Sequence, residues 1–202
     1  GLTNVNGLNA GAGAINVLAD TQRNTQLLNI NTVVASAAVA VAGSGATAVS
    51  IAGAGAFAIN RITGETTAEV TSITNGSAGS MNVKANNKAD IDANVVSVAA
   101  SVAASGGAGA VGVSLGVVFV SNSIGKSDDI FTVTARVKDA RMAVTGAVDV
   151  LATNDSTIDA SGTAVSAAVA VSLDLAGAAA GAGSAVYNKV RSATLAEVSR
   201  TN

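Results

Sequence analysis

Ile15-Asn16-Val17-Leu18-Ala19 returns as Met81-Asn82-Val83-Lys84-Ala85 and again as Val148-Asp149-Val150-Leu151-Ala152, at spacings of 66 and 67 residues. Other blocks keep the same order. Ile91-Asp92-Ala93 reappears as Ile158-Asp159-Ala160, again 67 apart, and Ser36-Ala37-Ala38-Val39-Ala40-Val41 is repeated unchanged at Ser166 to Val171. Ala58-Ile59-Asn60-Arg61-Ile62 corresponds to Val186-Tyr187-Asn188-Lys189-Val190, and Ala68-Glu69-Val70 to Ala196-Glu197-Val198. The middle copy diverges more, yet Ser121-Asn122-Ser123-Ile124 and Ala135-Arg136-Val137 fall where the order requires. Short matches arise easily in a chain this rich in Ala, Gly and Val. Shared order at a nearly constant offset does not, and it marks a true repeat. The units run approximately 15–80, 81–147 and 148–202, the last incomplete, within one domain over 1–202.

Each unit reads as a series of short strands. Alternation is clear in Met81 to Ala85, in Val111 to Val120 and in Phe131 to Val137, where Phe131, Val133, Ala135 and Val137 face one way. Asn75-Gly76-Ser77, Ser105-Gly106-Gly107 and Asn154-Asp155-Ser156 punctuate the runs as turns. The Ala-rich stretches have helical propensity, but their frequent Gly costs about 1 kcal/mol each inside a helix. A multi-strand unit that cannot cover its own apolar face must stack on its neighbours. The sequence therefore predicts an all-β fold, a repetitive parallel β-solenoid of about three 66-residue repeats. Three coils of about 22 residues per repeat would give about nine coils at 4.8 Å spacing, a rod of about 45 Å. The composition agrees: a narrow stacked interior suits Ala, Val, Ser and Gly, and every interior strand needs the N–H that Pro lacks.

The 202 residues include 22 Gly but no His, Cys, Pro or Trp, and the aromatics are Phe57, Phe119, Phe131 and Tyr187. Without His or Cys there is no Ser-His-Asp or Cys-His catalytic set and no zinc site from the usual ligands. Net charge is −2 with 12% charged residues, which leaves no basic footprint for nucleic acid. The chain opens at Gly1 without Met or a signal-peptide pattern, as expected of a mature piece or part of something longer. Two uncharged stretches, Thr32 to Asn60 and Ala93 to Gly125, are long enough to span a bilayer and hold Gly112 and Gly116 in GxxxG spacing, as are Gly177 and Gly181. Their poverty in Leu and Phe and their strand-like alternation weigh against membrane-spanning helices, which stay as an alternative.

Few residues carry chemistry. The acidic groups Asp90/Asp92, Asp128/Asp129 and Asp155/Asp159 match neither an EF-hand nor a calcium β-roll motif, and read as solvated turn carboxylates. No catalytic, cofactor or metal residues are assigned, and the chain is not expected to be an enzyme or to take a small-molecule substrate. Asn60, Asn122 and Asn188 follow a strand in all three copies. They read as structural residues at coil corners, either tolerating left-handed backbone or bonding a neighbouring turn. Arg61, Lys189 and Arg191 beside them read as an outer corner in water.

Gly53-Ala54-Gly55-Ala56-Phe57-Ala58-Ile59-Asn60 and Gly181-Ala182-Gly183-Ser184-Ala185-Val186-Tyr187-Asn188, each followed by an Ala-Glu-Val strand, and the Val148–Asp155 stretch resemble a known group. They are similar to the repeats of giant bacterial surface adhesins of the filamentous-haemagglutinin-like and leukotoxin types. The resemblance implies a right-handed β-solenoid shaft at the outer cell surface or outside the cell, acting in adhesion. Implied partners are neighbouring repeats, other copies end to end, and a host-surface or matrix receptor. A self-assembling filament subunit is the alternative, because solenoid ends are unpaired sheet edges.

Overall fold

A computed structural model describes residues 1–21 and 28–201. In chain order its strands are β1 (Leu2–Thr3), β2 (Ala14–Asp20), β3 (Leu28–Ser44), β4 (Thr47–Ile62), β5 (Glu65–Thr71), β6 (Gly76–Ala78), β7 (Ser80–Asn87) and β8 (Ala89–Ser105), then β9 (Gly109–Ile124), β10 (Phe131–Lys138), β11 (Met142–Val144), β12 (Val148–Asn154), β13 (Thr157–Val171), β14 (Ala176–Val190) and β15 (Ser192–Ser199). The described residues form no helix. Five sheets result, ordered β1-β5-β10-β15, β6-β11, β2-β7-β12, β3-β8-β13 and β4-β9-β14. Every pairing between strands is parallel. The fold is a parallel β-solenoid, as the repeat predicts. The alternative of membrane-spanning helices is overturned, since both uncharged stretches form strands.

The predicted coil length is corrected. Paired strands lie 61 to 68 residues apart, from Phe131↔Ser192 to Leu2↔Val70. One repeat is therefore one coil, not three of about 22 residues. Three strands at about 4.8 Å spacing make a stack only about 10 Å deep between outer strand axes, in place of a 45 Å rod. The length goes into the cross-section instead: β3 and β8 have 17 residues each, about 56 Å of extended chain.

That cross-section has a broad lobe and a narrow fin. In the lobe, β2, β5 and β6 with their counterparts enclose the larger side chains, among them Phe131, Ile73, Ile91 and Ile124 at no more than 1% exposure. Each such side chain contributes about 1.5–3 kcal/mol on burial, so most of the hydrophobic stabilisation lies here. In the fin, sheet β3-β8-β13 lies against sheet β4-β9-β14. Its buried apolar residues shrink from Val95, Val118 and Val120 near the root to Ala48, Ala103 and Ala110 near the tip.

Inside the fin the usual strand pattern is inverted. Along Val111-Gly112-Val113-Ser114-Leu115-Gly116-Val117 the Gly and Ser residues point inward and are buried, while the Val and Leu residues point outward. Backbone proximity explains it. A Cβ on Gly112 would lie 2.8 Å from the Val169 carbonyl oxygen, and one on Gly116 would lie 2.8 Å from that of Val165. The facing sheets approach too closely for a side chain there, so the large residues sit outside. The GxxxG spacing of Gly112 and Gly116 thus serves sheet packing, whereas Gly177 and Gly181 lie on the outward face.

Candidate interaction surfaces

At the fin root, inward positions of β4, β9 and β14 bring the three repeated asparagines together. Asn60 Nδ2 donates to Asn122 Oδ1 and Asn122 Nδ2 donates to Asn188 Oδ1, each at 2.8 Å, while the Thr32 hydroxyl donates to Asn60 Oδ1 at 2.7 Å. Asn60 and Asn122 are buried. Their expected place at coil corners is therefore corrected: they lie within strands and form a ladder along the axis, each coil satisfying the next. A shorter ladder in the lobe links buried Asn87 to Asn154 at 2.7 Å. Left-handed backbone falls elsewhere, at Asn75 with φ 54° and at the four corners Asn4, Ser72, Asp139 and Arg200, with φ between 47° and 56°. These four are equivalent positions, each following the last residue of β1, β5, β10 and β15. The Asp139–Arg200 ion pair at 3.0 Å ties two of them.

On the lobe surface, Glu69 of β5 accepts a hydrogen bond from the Thr71 hydroxyl and another from Arg136 Nη2 of β10 at 3.0 Å. The Thr71 bond, followed by the charge and hydrogen bond of Arg136 and the charge of Lys138, holds its carboxyl below the usual range against an opposing effect of partial desolvation. This is cross-strand support between neighbouring coils.

Four of the acidic residues gather on one side. Asp90, Asp92, Asp155 and Asp159 line one open recess together with Lys88. Asp90, Asp92 and Asp159 lie on β8 and β13, not in turns as expected, and Asp90 accepts a hydrogen bond from the Thr157 hydroxyl. Among the described residues no group of three or more acidic side chains is placed to hold a metal ion. Asp128 is paired with Lys126 at 3.7 Å elsewhere. On the opposite side, Arg61, Lys126 and Lys189 line a second recess beside Tyr187.

Beyond these roots both outer faces of the fin are uncharged; next to the acids the β3-β8-β13 face still carries the exposed Asn94, Ser161 and Thr163, and further toward the tip both faces are apolar. Leu115 and Val117 are 56% and 52% exposed although they lie on the middle strand of their sheet, so their exposure follows from facing outward and not from an edge position. The other face carries Val39, Val41, Val102 and Val169, all exposed. An aromatic column crosses the coils, with ring centroids 5.1 Å apart for Phe57–Phe119 and 5.5 Å for Phe119–Tyr187. A sequence reading that counts aromatics only for their scarcity misses this column; the register Phe57↔Phe119 is what reveals it. Finally, β2, β3 and β4 at one end and β12, β13 and β14 at the other each have a partner on one side alone among the described residues.

No family model, curated protein or solved structure matches this chain.

Proposed function

We propose that this chain is a structural segment of a large fibrous protein of the bacterial cell surface or its surroundings, whose work is to extend and to present its faces for adhesion. The observation that carries this reading is the uninterrupted parallel register through all three coils, with open ladder edges at both ends on which further coils can pair. A quasi-one-dimensional stack of this kind has its stability in nearest-neighbour contacts and can lengthen without redesign. The resemblance of the 53–60 and 181–188 blocks to surface-adhesin repeats supplies the location and the adhesive role. Antibody raised against the chain should label intact, unpermeabilised source cells or their shed material; labelling only after permeabilisation would sink the proposal.

The same open edges favour a second reading, a subunit that polymerises end to end through strand addition. Negative-stain electron microscopy separates the two. Unbranched fibrils with the coil axis along their length, growing from purified chain alone, would favour the filament.

A further inference from the structure

The two outer faces of the fin share an apolar expanse and differ at their roots. On the β3-β8-β13 face, Asp92 and Asp159 are directly paired in register, below an apolar strip that includes Val98 and Val165. On the β4-β9-β14 face, Arg61 and Lys189 occupy one register column. The Thr32–Asn60 hydrogen bond across the fin fixes the depth. It places the Asp92/Asp159 column, one residue before Thr32 in register, level with the Arg61/Lys189 column, one residue after Asn60. Acid on one face and base on the other therefore stand at the same distance from the fin tip. Lys88 sits among the acids and Asp128 is paired with Lys126 near the bases, but the four column residues Arg61, Asp92, Asp159 and Lys189 are all exposed.

We propose that the β3-β8-β13 face of one copy of this chain docks on the β4-β9-β14 face of a second copy in the same orientation, apolar strip on apolar strip and acidic root on basic root. The inference rests on the fin alone and holds whether or not the shaft reading does. Area supports it. Three strands of 15 to 17 residues per face present about 700 Å², so full contact removes about 1,400 Å² in total from water, inside the range of about 1,200–2,000 Å² for stable specific interfaces. A bilayer is the less fitting occupant, because the one-sided outer strands would bring unpaired backbone groups into hydrocarbon. The contact is heterologous, so it propagates as an open stack of fins perpendicular to the coil axis.

Sedimentation velocity over a range of concentrations tests this, using the unmodified chain and two charge-reversed variants. Arg61→Glu/Lys189→Glu makes both roots acidic, and Asp92→Lys/Asp159→Lys makes both basic. Each variant alone should need at least about tenfold more protein to associate. Their equimolar mixture should associate as the unmodified chain does, since every contact in an alternating stack again joins acid to base. The unmodified chain should also weaken its association between low salt and 1 M salt, where screening shortens to about 3 Å; that readout decides even where a variant loses its β-type circular dichroism. Four outcomes overturn the proposal: association that does not weaken in 1 M salt, variants that associate like the parent, a mixture no better than its components, or a monomer at all concentrations, whether or not it floats with neutral phosphatidylcholine vesicles.

Discussion

Two buried polar side chains of the fin have opposite consequences for stability. Asn122 both donates to Asn188 and accepts from Asn60, so Asn122→Ala strands the buried Asn60 donor, while the exposed Asn188 oxygen turns to water. Such orphaned groups cost about 1–3 kcal/mol, and denaturant unfolding should show a loss of that size. Ser97 is fully buried, and its hydroxyl has no hydrogen-bond partner among the described residues. The register already places Ala164 beside it in the next coil. Ser97→Ala therefore removes an uncompensated buried hydroxyl and leaves the packing, raising stability by about 1 kcal/mol. A loss on Ser97→Ala would mean that the inner face of the fin is wetter than a dry small-residue seam. At the left-handed corners, by contrast, Asn4 and Asp139 suit their backbone while Ser72 and Arg200 do not, so these corners share no residue type by which a sequence reader could find them.

At the scale of elements, the separation of the two fin sheets is set by inward glycines. Gly116→Ala forces a Cβ against the Val165 carbonyl oxygen, and the sheets must part; overpacking of this kind costs about 1–3 kcal/mol. Gly43→Ala, with open space at its Cβ and an outward direction, should be neutral or stabilising by about 0.5–1 kcal/mol. Thermal melts of the pair distinguish close backbone approach from a general intolerance of the fin to substitution. Between β5 and β10, the Glu69–Arg136 contact makes stability depend on pH. Because the folded carboxyl is held below its ordinary value, its contribution is full above the ordinary carboxylate range and is lost as pH falls through the lowered value. For a contact this exposed the effect is about 0.5–1 kcal/mol. Melting temperatures of the parent and Glu69→Gln should differ above the ordinary carboxylate range and converge as pH falls below the lowered value. How much of these elements was legible follows from what a repeat encodes. The blocks at 15, 81 and 148, at 91 and 158, at 60, 122 and 188, and at 68, 135 and 196 coincide with the observed register. The identical hexapeptides do not: Ser36 stacks on Ser97 and Ala164, while Ser166 stacks on Ala99 and Ala38. A two-residue slip keeps every side chain on its own face, so low-complexity matches fix face and not register. Coil length was hidden for a related reason, since a period of two residues does not say which strand is the neighbour. Strands of 15–17 residues also exceed the usual 3–10. The charge rows of the candidate surface were present as repeated Asp and as Arg/Lys beside Asn, but their opposition across the fin needs the folded sheets to be seen.

For the whole molecule, the lobe and the fin are held by different forces, and amide exchange should separate them. The lobe buries Ile, Val, Met and Phe around β7 and β10, whereas the fin buries mainly Ala, Ser and Gly and leaves its larger residues in water. Ladder hydrogen bonds are common to both. In a parallel sheet the N–H groups of a strand alternate between its two neighbours, so β8 and β9 are bonded on both sides and β3, β4, β13 and β14 on one. At dilute concentration the slowest amides should be those of β7 and β10, where opening exposes the large core. The amides of β8 and β9 should follow, and every second amide of the outer fin strands should exchange fast. Fin amides slower than those of the lobe would reverse the assignment, and the small-residue seam would then be the stabilising centre of the fold. The predicted order has a consequence for assembly. The fin is the part of the monomer with least to lose by opening and most apolar surface to cover, so neighbours that cover its faces should raise protection in β8 and β9 and leave β7 and β10 unchanged.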